Sequence, residues 1–155
     1  MLGTENNPLR VAVYCRVGNA DQIDLDMQVK ACAEQVNSHV GWKLEAVYTD
    51  IGVPGNRISK QWELCRLLAD CREGKIDKVM VRSISRLARS VQNCDSIVRE
   101  LAGLGVSIWF EKENIDTGNV NQWSIFNNLA MVTATMQESE TAESSGIDDD
   151  DDMEL

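Results

Sequence analysis

The residues best placed to do chemistry are three arginines. Arg16 sits near the end of a valine-rich run, Arg10 to Val17 (RVAVYCRV), which leads into the turn-like Gly-Asn-Ala-Asp. Arg86 and Arg89 lie three residues apart in SISRLARS (83–90), a spacing that one helical turn would bring to the same side. Planar guanidinium forks hold phosphate oxygens bidentately, so this grouping points to a phosphate-binding site. The plain alternative is three surface arginines with solvated heads. Metal chemistry has less to stand on. Cys15, Cys32, Cys65, Cys71 and Cys94 are widely spaced and never in C-x-x-C form, and His39 is the one histidine. A Cys/His zinc site is therefore not expected, and reduced, mostly buried thiols are.

These arginines need a scaffold, and the hydrophobic pattern supplies one. Residues 10–17 read as a buried strand. A helix over 25–38 follows, with Leu25, Val29, Cys32, Ala33 and Val36 as its inward stripe and Asp24 as N-cap. Trp42 to Thr49 alternates as a second strand, and residues 50–58 (DIGVPGNRI) form a loop. Ser59 is placed to cap a helix over 60–73 that carries Trp62, Leu64, Leu67, Leu68 and Cys71, with Gly74 at its stop. Asp77 to Arg82 is a short third strand. Ser90 caps a helix over 91–103, with Val91, Ile97, Val98, Leu101 and Leu104 inward and Gly103 and Gly105 ending it. Val106 to Phe110 is a fourth strand, 111–120 a loop, and 122–140 a last helix. Four strand–helix alternations predict an α/β fold with a mostly parallel sheet flanked by helices. In such sheets functional groups gather beyond the carboxyl ends of the strands, where Arg16 and the 83–90 segment fall.

Composition bounds the rest. The 155 residues suit one domain over 10–140, after a disordered 1–9 and before an acidic, disordered 141–155. The formal charge of −10 belongs to the end of the chain: residues 138–155 carry nine acids and neither Lys nor Arg, leaving 16 of the 25 acids against all 15 bases. The acidic pI therefore does not count against nucleic acid for the body. No stretch is apolar and long enough to cross a bilayer, and no signal segment opens the chain, so a cytoplasmic protein without a membrane partner is expected. Ile125, Phe126, Leu129, Ala130, Val132, Thr133 and Met136 cover much of the last helix, which packs either on its own sheet or against a second chain.

Six short motifs run in order along residues 10–140. Tyr14-Cys15-Arg16-Val17-Gly18-Asn19-Ala20-Asp21-Gln22 is followed six residues on by Gln28. Then come Tyr48-Thr49-Asp50-Ile51-Gly52-Val53-Pro54-Gly55, Gly74-Lys75-Ile76-Asp77-Lys78-Val79-Met80-Val81, Ser85-Arg86-Leu87-Ala88-Arg89, Glu113-Asn114-Ile115-Asp116-Thr117 and Gln137-Glu138-Ser139. Together they resemble the N-terminal catalytic domain of the serine recombinases, the resolvases and invertases. The resemblance implies a resolvase-like three-layer sandwich, with a central sheet of four or five strands and a long C-terminal helix. It implies DNA as partner, association into dimers or higher oligomers through residues 122–140, and a reaction without metal or cofactor. In that reaction a serine attacks a DNA phosphodiester while arginines surround the phosphate. By the same resemblance Arg16, Arg86 and Arg89 hold phosphate, Gln22 and Asp50 belong to the active site, and Asp77 is an acid beneath it.

The chain departs from that pattern at two chemically decisive positions. Gly18 stands where the family has its nucleophile and Gln61 where it has another arginine, with Lys60 and Arg57 nearby but not equivalent. Pro54 also replaces a loop serine. Glycine cannot form the covalent link, Cys15 points to the opposite face of the strand, and Ser83 and Ser85 would need a different attack geometry. Beyond the long helix the chain has the acidic tail where relatives carry a recognition module, so sequence-specific binding by this chain alone is not expected. Three functions follow: a recombinase catalytic domain with cleavage lost, a non-catalytic protein that pairs through the long helix with an active recombinase, or an enzyme using an unexpected group.

Overall fold

The computed structural model of the chain describes residues 4, 6–18, 22–52, 61–88, 90–119, 121–124 and 128. The elements are β1 (Leu9–Val17), α1 (Gln22–Ser38), β2 (Trp42–Ile51), α2 (Trp62–Arg72), β3 (Lys78–Val81), α3 (Ile84–Leu87), α4 (Val91–Gly103), β4 (Ser107–Phe110) and β5 (Ile115–Asp116). They build a five-stranded sheet of order β2-β1-β3-β4-β5. β1 pairs in parallel with β2 and β3, β3 pairs in parallel with β4, and only β5 runs antiparallel.

The near-continuous apolar run of β1 is what a central parallel strand requires, because both of its faces are covered. Its alternate side chains feed two cores. Ala12 and Tyr14 pack with Tyr48, Leu64, Leu67, Ile97 and Leu101, beneath α2 and α4. Val11, Val13 and Cys15 pack on the other face with Cys32, Val36 and Met80, beneath α1. The inward stripes expected for α1 and α2 are accordingly buried at Leu25, Cys32, Val36, Leu64, Leu67, Leu68 and Cys71. All five cysteines are free, and four of them are buried.

Helix ends divide between expectation and correction. Ser90 caps α4 by accepting from the Asn93 N–H at 3.0 Å. Gly74 and Gly105 adopt the left-handed conformation that ends a helix, with φ of 76° and 78°. Asp24, in contrast, is no N-cap: α1 starts earlier, at Gln22, and the Asp24 carboxylate accepts from the Gln28 amide at 3.1 Å. α2 starts at Trp62 rather than 60, and Ser59 lies outside the described residues. Its first turn is capped from a distance, as Asp50 on β2 accepts from the N–H groups of Glu63 (3.0 Å) and Leu64 (3.2 Å). Trp62 is 72% exposed and Leu104, past the end of α4, is 41% exposed, so neither points inward. Spacing alone cannot tell a helix terminus from its packed interior. The loop expected over 111–120 contains β5. Of the last helix, residues 121–124 and 128 are helical, and its remainder lies outside the described residues. None of the described helices is long and apolar enough to cross a membrane.

Candidate functional site

The carboxyl ends of β1, β3 and β4 open onto a cleft of about 920 Å³, lined by Arg16, Asp24, Gln28, Arg82, Ser83, Ser85, Arg86, Glu111 and Lys112. Each side chain arrives there by simple geometry. Arg16 is the penultimate residue of β1. Arg82 follows β3, and Glu111 follows β4. Their backbones stay in register past the strand ends, since Glu111 N–H donates to Val81 O at 2.9 Å and Lys112 N–H to Arg82 O at 2.8 Å.

Arg16 reaches across from β1 to the turn that bears Arg86. Its Nε donates to the Arg86 carbonyl at 3.0 Å and its Nη2 to the Ser85 carbonyl at 2.5 Å. The turn is held from the other side by Glu113, whose carboxylate accepts from the Ile84 N–H at 3.2 Å. Ser83 and Ser85 share a hydroxyl–hydroxyl contact of 3.1 Å on the same wall. Arg82 pairs with Glu111 at 3.0 Å. It also reaches the buried thiols behind the cleft. There the hydrogen bond with Cys15, together with Arg82, brings the Cys32 thiol down to about 7. The same contact with Cys32, and then burial, push the Cys15 thiol up. Arg86 and Lys112 are exposed and make no ion pair among the described residues. Four cations against two acids leave the cleft suited to an anion.

Beneath the cleft lies a buried polar chain. The Tyr14 hydroxyl donates to Asp50 Oδ2 at 2.8 Å, and the Gln61 amide donates to that same hydroxyl at 2.8 Å. Because the hydroxyl's hydrogen goes to the carboxylate, it can only accept from Gln61, which fixes the amide orientation. The second amide hydrogen lies toward the Leu87 carbonyl at 3.4 Å. Gln61 Oε1 is buried without a hydrogen-bond partner among the described residues. Burial first, and the neighbouring Asp50 charge as well, push the Tyr14 phenol up, so it stays a neutral donor.

The structure therefore brings Arg16 and Arg86 to one cleft and sets Asp50 and Gln61 below it as supports of β1 and α2. Gly18 is exposed at the end of β1, and a Cβ built there would meet no atom of the described residues within 4 Å. Gln22 is the first residue of α1, but its side chain lies outside the described residues, as does Arg89. The expected helical turn joining Arg86 to Arg89 ends early, because Ala88 is already extended at φ −154°, ψ 148°. Asp77 is at the opposite, amino end of the sheet. It accepts from Arg10 N–H (2.8 Å), Nε (3.0 Å) and Nη2 (3.0 Å), far from the arginine cleft.

Spacing alone gave no sign of two contributors. Lys112 lies in a stretch read as plain loop, and Glu113 was visible only as a letter of a motif. Its motif has a physical explanation in the structure. Besides Glu113 on α3, Asp116 pairs with the buried Lys78, and the Thr117 hydroxyl accepts from the Ile108 N–H at 2.7 Å. The segment thus fastens β5 and the arginine turn to the body of the sheet. Among the described residues no group of histidine, cysteine and carboxylate side chains could hold a metal ion.

A mostly parallel sheet with an arginine-lined cleft at its strand ends defines an α/β domain of the resolvase type. The chain belongs to the family Resolvase, N terminal domain, which it matches over residues 11–146. Solved structures of similar fold include the N-terminal catalytic domain of TP901-1 integrase, at 24% identity and a TM-score of 0.72, covering 84% of this chain and 97% of that one. A resolvase family site-specific recombinase from Streptococcus pneumoniae has 24% identity and a TM-score of 0.63, over 87% and 94% of the two chains. A serine recombinase from Sulfolobus solfataricus has 20% identity and a TM-score of 0.56, over 92% and 93%.

Proposed function

We propose that this chain is the catalytic domain of a site-specific DNA recombinase in which the cleft binds a DNA phosphate and covalent cleavage has been lost at Gly18. The observation that carries the reading is the convergence of Arg16 and Arg86 on one cleft at the end of the strand that Gly18 follows. Fixed guanidinium groups there would neutralise the phosphate oxygens, which is the greater part of what phosphoryl transfer asks of a protein. The missing part is the hydroxyl. Gln22 and Arg89 complete the proposed site by their place in the sequence motifs, and Asp50 supports it from below through Tyr14 and the α2 N-terminus.

Gly18 has no left-handed backbone strain, and a Cβ built on it meets no atom of the described residues within 4 Å, so a serine can be introduced there without backbone strain. The test is Gly18→Ser, incubated with a nicked suicide DNA substrate. Attack of the new hydroxyl on phosphorus would form a phosphoserine ester and release the DNA hydroxyl. A covalent protein–DNA band that disappears in Gly18→Ser/Arg86→Ala supports the reading. No adduct from a folded Gly18→Ser protein that still binds DNA would show wider loss, starting with the arginine position now held by Gln61.

A second reading, a partner of active recombinases that pairs through the long helix, is compatible with the same fold. Sedimentation alone and in mixture with an active relative separates the two: a chain that stays monomeric in both removes the partner reading.

A further inference from the structure

We infer that Lys112 is a second phosphate contact, so that a DNA strand crosses the carboxyl ends of the sheet from β1 over β3 to β4. The inference rests on the reading of the cleft as a DNA-phosphate site and adds a residue and a direction to it.

Lys112 is held in place by backbone bonds. Its N–H donates to Arg82 O at 2.8 Å, extending the β3–β4 ladder past the end of β4, and the following turn closes with the Asn114 N–H on Glu111 O at 3.1 Å. The two carboxylates flanking it in sequence are both occupied: Glu111 pairs with Arg82 at 3.0 Å, and Glu113 accepts from the Ile84 N–H at 3.2 Å. The ammonium is thus left exposed on the cleft wall, without an ion pair among the described residues. Elsewhere an exposed lysine does use a nearby acid: Lys75 pairs with Glu73 at 3.1 Å.

Position adds the direction. β1, β3 and β4 are consecutive in the sheet, so the strand bearing Arg16 and the strand preceding Lys112 are two strand spacings apart, roughly 10 Å. Arg16 leans onto the turn after β3, beside Arg86, whereas Lys112 stands past the end of the next strand, β4, on the wall of the same cleft. Arg16 and Arg86 are accordingly assigned to one phosphate and Lys112 to a neighbour along the backbone, a contact that carries charge but no base information.

The test uses the full chain and a labelled random-sequence duplex of about 20 base pairs, with anisotropy followed over a salt series. Loss of one phosphate contact should make the slope of log Kobs against log[salt] shallower by about 0.9, which is about an eightfold loss of affinity at roughly 0.1 M salt. Lys112→Ala should show that change, and Lys112→Arg, which keeps the charge, should not. Because the side chain is exposed, neither variant threatens the fold. An unchanged slope in Lys112→Ala, with a shallower slope in Arg86→Ala, would overturn the Lys112 contact and leave the cleft reading intact. Unchanged slopes in both, or no binding at low salt, would overturn both.

Discussion

Replacing Asp50 by alanine should destabilise the domain more than any surface carboxylate would, because three donors converge on it. The side chain is 4% exposed and accepts from the Tyr14 hydroxyl at 2.8 Å and from the Glu63 and Leu64 N–H groups at 3.0 and 3.2 Å. Asp50→Ala leaves the fully buried Tyr14 hydroxyl without an acceptor, at a cost of about 1–3 kcal/mol. Loss of the cap on α2 adds about 0.5–2 kcal/mol. Together these come to about 1.5–5 kcal/mol, a large share of the stability of a domain this size. Urea unfolding followed by tryptophan fluorescence, with linear extrapolation, measures it. The Tyr14→Phe background separates the two contributions. There no hydroxyl is orphaned, so Asp50→Ala should cost about 1–3 kcal/mol less than in the parent. A cost below about 0.5 kcal/mol in the parent, or an identical cost in both backgrounds, would refute the buried network as the support of β1 and α2.

Two further outcomes follow from the ion pairs and caps. The Arg10 guanidinium holds the Asp77 carboxyl below the usual carboxylate range, so its stabilising contribution is present above the unfolded pKa of about 3.9 and is lost as pH falls through the lower folded value. Stability curves between about pH 5 and 2 should therefore fall more steeply for the parent than for Asp77→Asn, and parallel curves would contradict the pairing. Glu113→Ala should free the Ile84 N–H, cost about 0.5–2 kcal/mol, and speed amide exchange at Arg86 and Leu87; unchanged exchange there would show that Glu113 does not hold the turn.

Much of the scaffold was legible because its elements repeat a simple physical pattern. The valine-rich run of β1 and the strand–helix alternation pointed to a parallel sheet, and Ser90 and Gly105 marked the ends of α4 through backbone chemistry that is local in sequence. What was not legible is what crosses the chain. α2 is capped by Asp50, thirteen residues before Glu63, and no local rule points there. β5 is two residues long and exists because β4 offers it an edge. Trp62 and Leu104 look apolar and inward by type, yet they sit at helix ends where the packed face has run out.

The site divides in the same way. Arg16 and Arg86 were readable as an anion site, but their link runs from the Arg16 side chain to the Ser85 and Arg86 carbonyls, contacts that no spacing encodes. Asp77 looked like an acid beneath the cleft because its motif neighbours it in sequence. β3 carries the chain from one end of the sheet to the other, so the residue before that strand and the arginines after it lie at opposite ends. The motif's regularity thus reflects the sheet as much as the chemistry.

The central claim is that Arg16 and Arg86 face a common phosphate. Guanidinium Nε–H resonances, followed by NMR while a short DNA duplex is added, test it with internal controls, because Arg10 and Arg66 are held by Asp77 and Glu63 away from the cleft. Saturable shifts of Arg16 and Arg86 in step, with Arg10 and Arg66 unmoved, are the predicted result. Shifts at Arg10 or Arg66 with Arg16 and Arg86 still would contradict it.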